Sequence, residues 1–388
     1  MRLSARAIGL LISGAMLAVL AASMQSLTLA RIAALVVAVP LVSLLWSLVT
    51  RAMSKPAAVV RTVIPQRPTA GSSATVRLHT TDVRLGPWTT LRERVPSALH
   101  RSGTSGGGYT ITPPSRGVFS LGPATVHRSD PLNLVRWRVT SGPTDEVIVW
   151  PRYADLTREI RAVTLDAAVS RPQGSPQRNL EDLTLREYQR GDDLHRVHWR
   201  SSARQGALMV RQDEPSTTHG VDVLLDLGAP EDHSPENGTE WAVSATASLA
   251  VSLIRHRYRV RIATHHTTRG GASDEPLVGP SQTEALDLLA RAEAIPADIR
   301  DDVHAELMRR ARGSGAPILM VVLREPEEAL IDRIAPLAGR RRCFALVVST
   351  VAGTDLGPLE SEGWSVSQVG PDASVADAWS DLLTVGAR

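Results

Sequence analysis

The run GVDVLLDL at residues 220–227 is almost wholly apolar, and GTEWAVSATASLAVSLIRHR at 238–257 follows it with apolar residues at helical spacing. A short buried strand handing over to an amphipathic helix is the repeating unit of an open parallel sheet. The unit recurs toward the C-terminus. YRVRIATHH (258–266), APILMVVL (316–323) and RCFALVVST (342–350) read as strands. SQTEALDLLARAEAI (281–295), ADIRDDVHAELMRRAR (297–312), EPEEALIDRIAPLAG (325–339) and DASVADAWSDLLTV (372–385) read as helices. Residues 216–388 are therefore expected to form a doubly wound α/β domain with helices on both faces of the sheet.

Immediately upstream lies the chemically densest stretch, LREYQRGDDLHRVHWRSSARQGALMVRQ, residues 185–212. Arg190-Gly191-Asp192 reads as a turn, and Asp192 or Asp193 can cap a helix over about 193–204. On that helix Arg196, Arg200 and Arg204 recur every four residues and share one face, with Trp199 able to pack nearby. ALMVRQ (207–212) then reads as a strand. Three uses of the cluster compete: an arginine–carboxylate network within the protein, a surface for an anionic partner, and a metal-assisted hydrolase built on Asp192, Asp193, His195 and His198. The two histidines stand three apart without HExxH-like spacing, so the network ranks first and the metal site last.

Residues 57–150 change character. VVRTVI, ATVRLHT, WTTLRERV, GYTIT, VFSLG, ATVHR, LVRWRV and EVIVW are short, β-branched segments separated by PTAGSS, RSGTSGGG and TPPSRG. Such spacing predicts an antiparallel, sandwich-like module over 56–150. Residues 103–108 read as an exposed hairpin loop; a phosphate cradle would need a following Lys-Ser/Thr that this loop lacks.

Residues 7–24 and 32–49 carry no charge, and each 18-residue run is near the minimum for crossing a hydrocarbon core of about 30 Å. The seven-residue link QSLTLAR makes them an antiparallel hairpin, expected to occupy 1–55. Arg2 and Arg6 precede the first run and Arg51, Lys55 and Arg61 follow the second, which predicts a multi-pass cell-membrane protein with the bulk of the chain in the cytoplasm. Trp46 suits the membrane interface. A cleaved signal peptide fits less well, because Val19 and Ala21 match the small-residue cleavage rule only loosely.

This division explains the charge balance. The 43 basic and 40 acidic residues leave +3, yet no acidic residue precedes Asp82. The basic excess belongs to the apolar N-terminal block, and the remainder is mildly acidic, which argues against a nucleic-acid-binding body. The single Cys343 excludes an intramolecular disulfide framework and a Cys-rich zinc site. Eight Trp, four Tyr and two Phe provide no stacking platform for single-stranded nucleic acid.

The segment from Arg186 to Arg211, with Arg186, Tyr188, Gly191, Asp192, Asp193, Arg196, Trp199, Ser202, Arg204 and Arg211, resembles the signature of domain-of-unknown-function family fifty-eight. SRGVFSLGP (115–123), SDPL (129–132) and VIVWP ending at Pro151 resemble that family's preceding β-region and boundary. Asn133 stands where the family usually has Gly. The resemblance implies a von Willebrand factor A-like C-terminal domain and partnership with a MoxR-type AAA ATPase in a chaperone-like or envelope-related system. A metal loop of the D-x-S-x-S kind would fall on Asp226-Leu227-Gly228-Ala229-Pro230, where Gly228 and Pro230 replace both hydroxyl ligands. Asp226 alone cannot hold a divalent ion and is read as a capping carboxylate. The sequence thus predicts a multidomain α and β protein: hairpin, β-module, a connecting region over 151–215, and the α/β domain. Its expected role is a non-enzymatic, membrane-anchored scaffold without cofactor or metal, with the hydrolase as the alternative.

Overall fold

The computed structural model describes residues 1–53, 58–81, 88–105, 108–158, 160, 184–187, 202–203, 206–207, 209–212, 220–228, 238–268, 271–273, 275–314, 316–339, 341–350 and 354–385. The chain divides into two compact units, Met1–Trp150 and Pro151–Arg388.

The first unit opens with strand β1 (Arg2–Leu3) and helices α1 (Ala5–Ser23) and α2 (Leu27–Met53). Both helices are long and apolar enough to cross a membrane. Helix α2 begins at Leu27, ahead of the second uncharged run, so the seven-residue link gives way to Met24, Gln25 and Ser26, with Gln25 at φ 47° making the reversal. Ser4 caps α1 by accepting from Ala7 N at 3.2 Å. The buried positions of α1 are Ala7, Gly14 and Ala21; those of α2 include Ala33, Pro40 and Ser47. Small residues seven apart on each helix form a seam that lets the backbones approach closely. At Gly14 a Cβ would lie 2.5 Å from Val37 Cγ2. Outward-facing Ile12, Met16, Leu35 and Leu45 stay exposed in the protein alone.

The β-module comprises β2 (Ala58–Ile64), β3 (Ala74–Thr81), β4 (Thr89–Glu93), β5 (Arg101–Ser105), β6 (Gly108–Ile111), β7 (Gly117–Leu121), β8 (Ala124–Ser129), β9 (Val135–Ser141) and β10 (Asp145–Val149). Its described sheets are antiparallel, with orders β1-β9-β8-β4, β2-β3-β6-β5 and β7-β10. Val76, Tyr109 and Ile111 pack with Leu121, Val147 and Val149, so the second sheet shares a core with the β7–β10 pair. Residues 101–105 form a strand where a loop was expected, with a register shift against β6 between Ser102 and Ser105. Ladder pairing overrides the weak strand preference of Ser and Gly there.

The stretch 129–135 joins this module to the hairpin. Asp130 is buried; its Oδ1 accepts from Val135 N at 2.6 Å and its Oδ2 from Leu132 N at 3.1 Å. Asn133 holds φ 56°, a left-handed conformation that glycine and asparagine adopt at least cost, and its Oδ1 accepts from Arg136 Nε at 2.8 Å. The turn thereby presents Leu134 and Val135 to Ala7, with Leu10, Val39 and Leu44 packed around them. Ser4 N donates to Leu134 O at 2.8 Å.

The second unit contains a ribbon of β11 (Thr184–Glu187) and β12 (Met209–Gln212), then β13 (Gly220–Asp226), α3 (Thr239–Arg255), β14 (Arg259–Ala263), the β15 (His266–Thr268) and β16 (Gly271–Ser273) pair, and edge strand β17 (Leu277–Val278). Next come α4 (Gln282–Ala290), α5 (Arg300–Gly313), β18 (Ile318–Arg324), α6 (Glu328–Ile334), β19 (Arg342–Val348), α7 (Gly357–Ser361), β20 (Ser365–Val369) and α8 (Val375–Val385). Six described strands form a sheet in the order β17-β14-β13-β18-β19-β20, parallel except for β17. Apart from its short antiparallel edge, this is the order of a doubly wound fold whose direction of winding reverses beside β13. Every residue of β18 is buried, as expected for a strand covered on both faces.

The polar residues inside α3 have a structural purpose. Ser248 Oγ accepts from Ala154 N at 2.8 Å and Ser252 Oγ from Leu156 N at 3.0 Å. These bonds satisfy backbone donors of the segment entering the unit, whose Leu156 and Ile160 are buried.

Candidate functional site

In an open α/β sheet, ligands collect beyond the carboxyl ends of the strands, where the winding reverses. Here that place is a cavity of about 130 Å³ lined by Asp226 at the end of β13 and Gly228 after it, Arg324 at the end of β18 and Glu325 after it, Arg300 and His304 on α5, and Glu327 before α6.

Asp226 is 2% exposed. Its Oδ1 accepts from Gly228 N at 3.2 Å, which closes the turn, and its Oδ2 faces His304 Nε2 at 3.4 Å. Gly228 holds φ 62°, and a Cβ there would lie 2.8 Å from Arg324 O. Both facts require glycine. Gly228 O accepts from Ile295 N at 3.0 Å, which ties the loop to the segment leading into α5.

Arg324 is 1% exposed and donates from Nε to Leu227 O at 2.7 Å. Glu325 takes φ 43°, and its side chain turns toward the end of β19. Its Oε2 accepts from Ser349 Oγ at 2.6 Å, while Oε1 accepts from Thr350 N at 2.5 Å and Thr350 Oγ1 at 2.8 Å. Burial pushes the Glu325 carboxyl upward, but the bonds from Ser349 and Thr350, with the charge of Arg324, hold it below the ordinary glutamate value. Arg300 pairs with Glu327 across the mouth.

Charges of both signs therefore meet within the protein's own network. Asp226 is a turn-closing group paired with a histidine, and among the described residues no cluster of three or more His, Cys, Asp or Glu could hold a metal ion. Nothing in the sequence marked His304 or Arg300. Arg324 and Glu325 were visible only as charges ending an apolar run.

The signature positions Tyr188, Gly191, Asp192, Asp193, Arg196, Trp199 and Arg204, together with Arg190, His195, His198 and Arg200, lie outside the described residues. Arg186 is on β11 opposite Val210, and Arg211 is on β12 opposite Leu185, so the two ends of the motif are adjacent in one antiparallel ladder. Ser202 and Ala203 are helical, and Gly206 at φ 70° donates its N–H to Ser202 O at 3.0 Å. That is the left-handed glycine stop of a helix.

An apolar hairpin with a β-module, followed by a doubly wound α/β unit bearing this sheet-end network, defines the class of protein. Within it, residues 184–293 match the family model described as "Protein of unknown function DUF58". The matched region runs from β11 through the Asp226 turn to the end of α4 and the segment after it. The chain is 25% identical over 149 residues to the uncharacterized protein YeaD of Bacillus subtilis (strain 168), a match covering 38% of this chain and 36% of that relative. The match thus spans about a third of the relative's length. A solved von Willebrand factor type A structure from Catenulispora acidiphila aligns with a TM-score of 0.25 at 12% identity, covering 46% of this chain and 43% of that one.

Proposed function

We propose that this protein is a membrane-anchored adaptor without catalytic turnover of its own. The apolar hairpin holds it in the cell membrane with the bulk of the chain in the cytoplasm. The α/β unit and the arginine motif at 186–211 engage protein partners, a MoxR-type AAA ATPase foremost, in a chaperone-like or envelope-related system. The observation that carries this reading is the sheet-end network. Asp226 faces His304, Arg300 pairs with Glu327, and Glu325 accepts from Ser349 and Thr350 where an enzyme of this architecture would keep groups open for substrate, although His304 Nε2 and Arg300 Nε are buried there without a hydrogen bond among the described residues. Orientation is supported by Arg2 before the first apolar helix and Arg6 in its first turn, and by Arg51 in the last turn of the second and Lys55 beyond it in the sequence. Membrane extraction in mild detergent, affinity purification and identification of co-purifying proteins test the proposal. An AAA ATPase is expected to be enriched, and charge reversal by Arg200→Glu with Arg204→Glu is expected to weaken its recovery without releasing the protein from the membrane. Unchanged recovery would overturn the partner role of the motif.

A further inference from the structure

The strand register of the β-module gathers arginine on one sheet face. Arg2 of β1 is opposite Arg136 of β9, Arg138 is opposite His127 of β8, and His127 is opposite Thr90 of β4. Residues two apart on a strand share a face, so Arg2, Arg136, Arg138 and Arg92 project from the same side of the sheet. All four are exposed, whereas Val126, Val135 and Trp137, which alternate with them, are buried. This face forms one wall of a cavity of about 1130 Å³ that also includes Arg6 and the half-exposed indole of Trp88. No described residue lining it is a carboxylate, and among the described residues no ion pair joins Arg2, Arg6, Arg92 or Arg138 to one. Elsewhere the protein neutralises such groups, as Arg61 does with Glu93 and Asp145.

The location of the face indicates what would neutralise it. Arg2 lies two residues before the Ser4 cap of the first apolar helix, Arg6 lies in that helix's first turn, and exposed Ile8 and Ile12 follow on the same helix. A ligand reaching both the arginines and these side chains needs an anionic head and an apolar body. We propose that the exposed face of the β1-β9-β8-β4 sheet is a binding site for anionic phospholipid headgroups at the surface of the membrane holding the hairpin. It rests on the membrane anchoring proposed above. Guanidinium groups suit the task, because they bind phosphate oxygens in a bidentate manner and need no pre-existing partner. Trp88 supplies the amphipathic ring characteristic of the interfacial layer.

The test uses the full chain in neutral detergent micelles, titrated with phosphatidylglycerol or phosphatidylcholine and followed by native mass spectrometry. Phosphatidylglycerol is expected to bind on the order of tenfold more tightly, and Arg136→Gln with Arg138→Gln to remove the preference. Arg309→Gln, on an exposed arginine outside the cavity, is expected to retain it. Near-ultraviolet circular dichroism confirms that each variant is folded. Equal binding of the two lipids, an unchanged preference in the double variant, or displacement of phosphatidylglycerol by duplex DNA would overturn the headgroup site. A carbonate wash separates the two layers of the argument. Release of the wild type from membranes would overturn the anchoring and the lipid site together, whereas retention without a lipid preference would overturn the site alone.

Discussion

His304 Nε2 stands 3.4 Å from Asp226 Oδ2 with both side chains buried, joining the end of the central strand to α5, 78 positions further along the chain. The same carboxylate closes its own turn through Gly228 N. Asp226→Ala removes the turn-closing bond from Gly228 N and the carboxylate that faces His304 Nε2, a buried nitrogen with no hydrogen bond of its own among the described residues. The expected loss is about 1–3 kcal/mol, read as a fall of several degrees in the melting temperature of the full chain in detergent. Gly228→Ala is expected to cost a similar amount through its positive φ and the approach to Arg324 O. Unchanged melting in both variants would show that the turn and the contact with α5 are dispensable.

Glu325 gives the α/β unit an acid-sensitive contact. Burial opposes ionisation of its carboxyl, but hydrogen bonds from Ser349 and Thr350 outweigh it and set the folded value below the ordinary 4.5. A depressed folded value means that the contribution is complete above the unfolded value and disappears as pH falls through the folded one. The wild type is therefore expected to lose stability more steeply than Glu325→Gln as pH falls from about 5 to about 3. Melting temperatures across that range provide the comparison; parallel curves for the two proteins would refute the assignment.

The sheet was legible because its central strands are covered on both faces. APILMVVL has no polar side chain and GVDVLLDL is apolar apart from Asp222 and Asp226, and Gly, Pro and charged residues bracket both runs. The half-exposed β20 escaped notice, since Ser365 and Ser367 dilute its apolar pattern. The two-residue β17 has no periodicity to read. In the hairpin, the uncharged runs revealed two helices, but the Ala7–Gly14–Ala21 seam is invisible in an apolar sequence already rich in small residues. The site divides in the same way. Asp226 was legible from its position at the end of the first strand of the sheet, whereas His304 and Arg300 acquire meaning only when α5 lies beside that strand's end. No local pattern encodes such a distant contact.

The β-module contains a second buried polar network, and its energetics differ from those of a surface pair. The side chains of Arg61 and Glu93 are 1% and 0% exposed, and Arg61 also reaches Pro143 O at 2.7 Å and Asp145 Oδ2 at 2.8 Å. Tyr109 donates to Glu93 Oε2 at 2.6 Å. Burial, followed by that hydrogen bond, pushes the Tyr109 phenol far above its usual value, so it remains a donor at any practical pH. Glu93 thus links β4 to β2 and β6, two strands of another sheet. Tyr109→Phe removes one charge-assisted bond and is expected to cost roughly 1.5–3 kcal/mol. Glu93→Leu is expected to cost more, about 3–5 kcal/mol, because it strands the Arg61 guanidinium with only the partly exposed Asp145 as a countercharge. Adding Arg61→Met removes the stranded charge, so the double variant is expected to melt at a higher temperature than Glu93→Leu alone, since apolar side chains can replace a buried pair at little net cost. A double variant less stable than the single one would mean that Arg61 holds the module through Pro143 and Asp145 independently of Glu93.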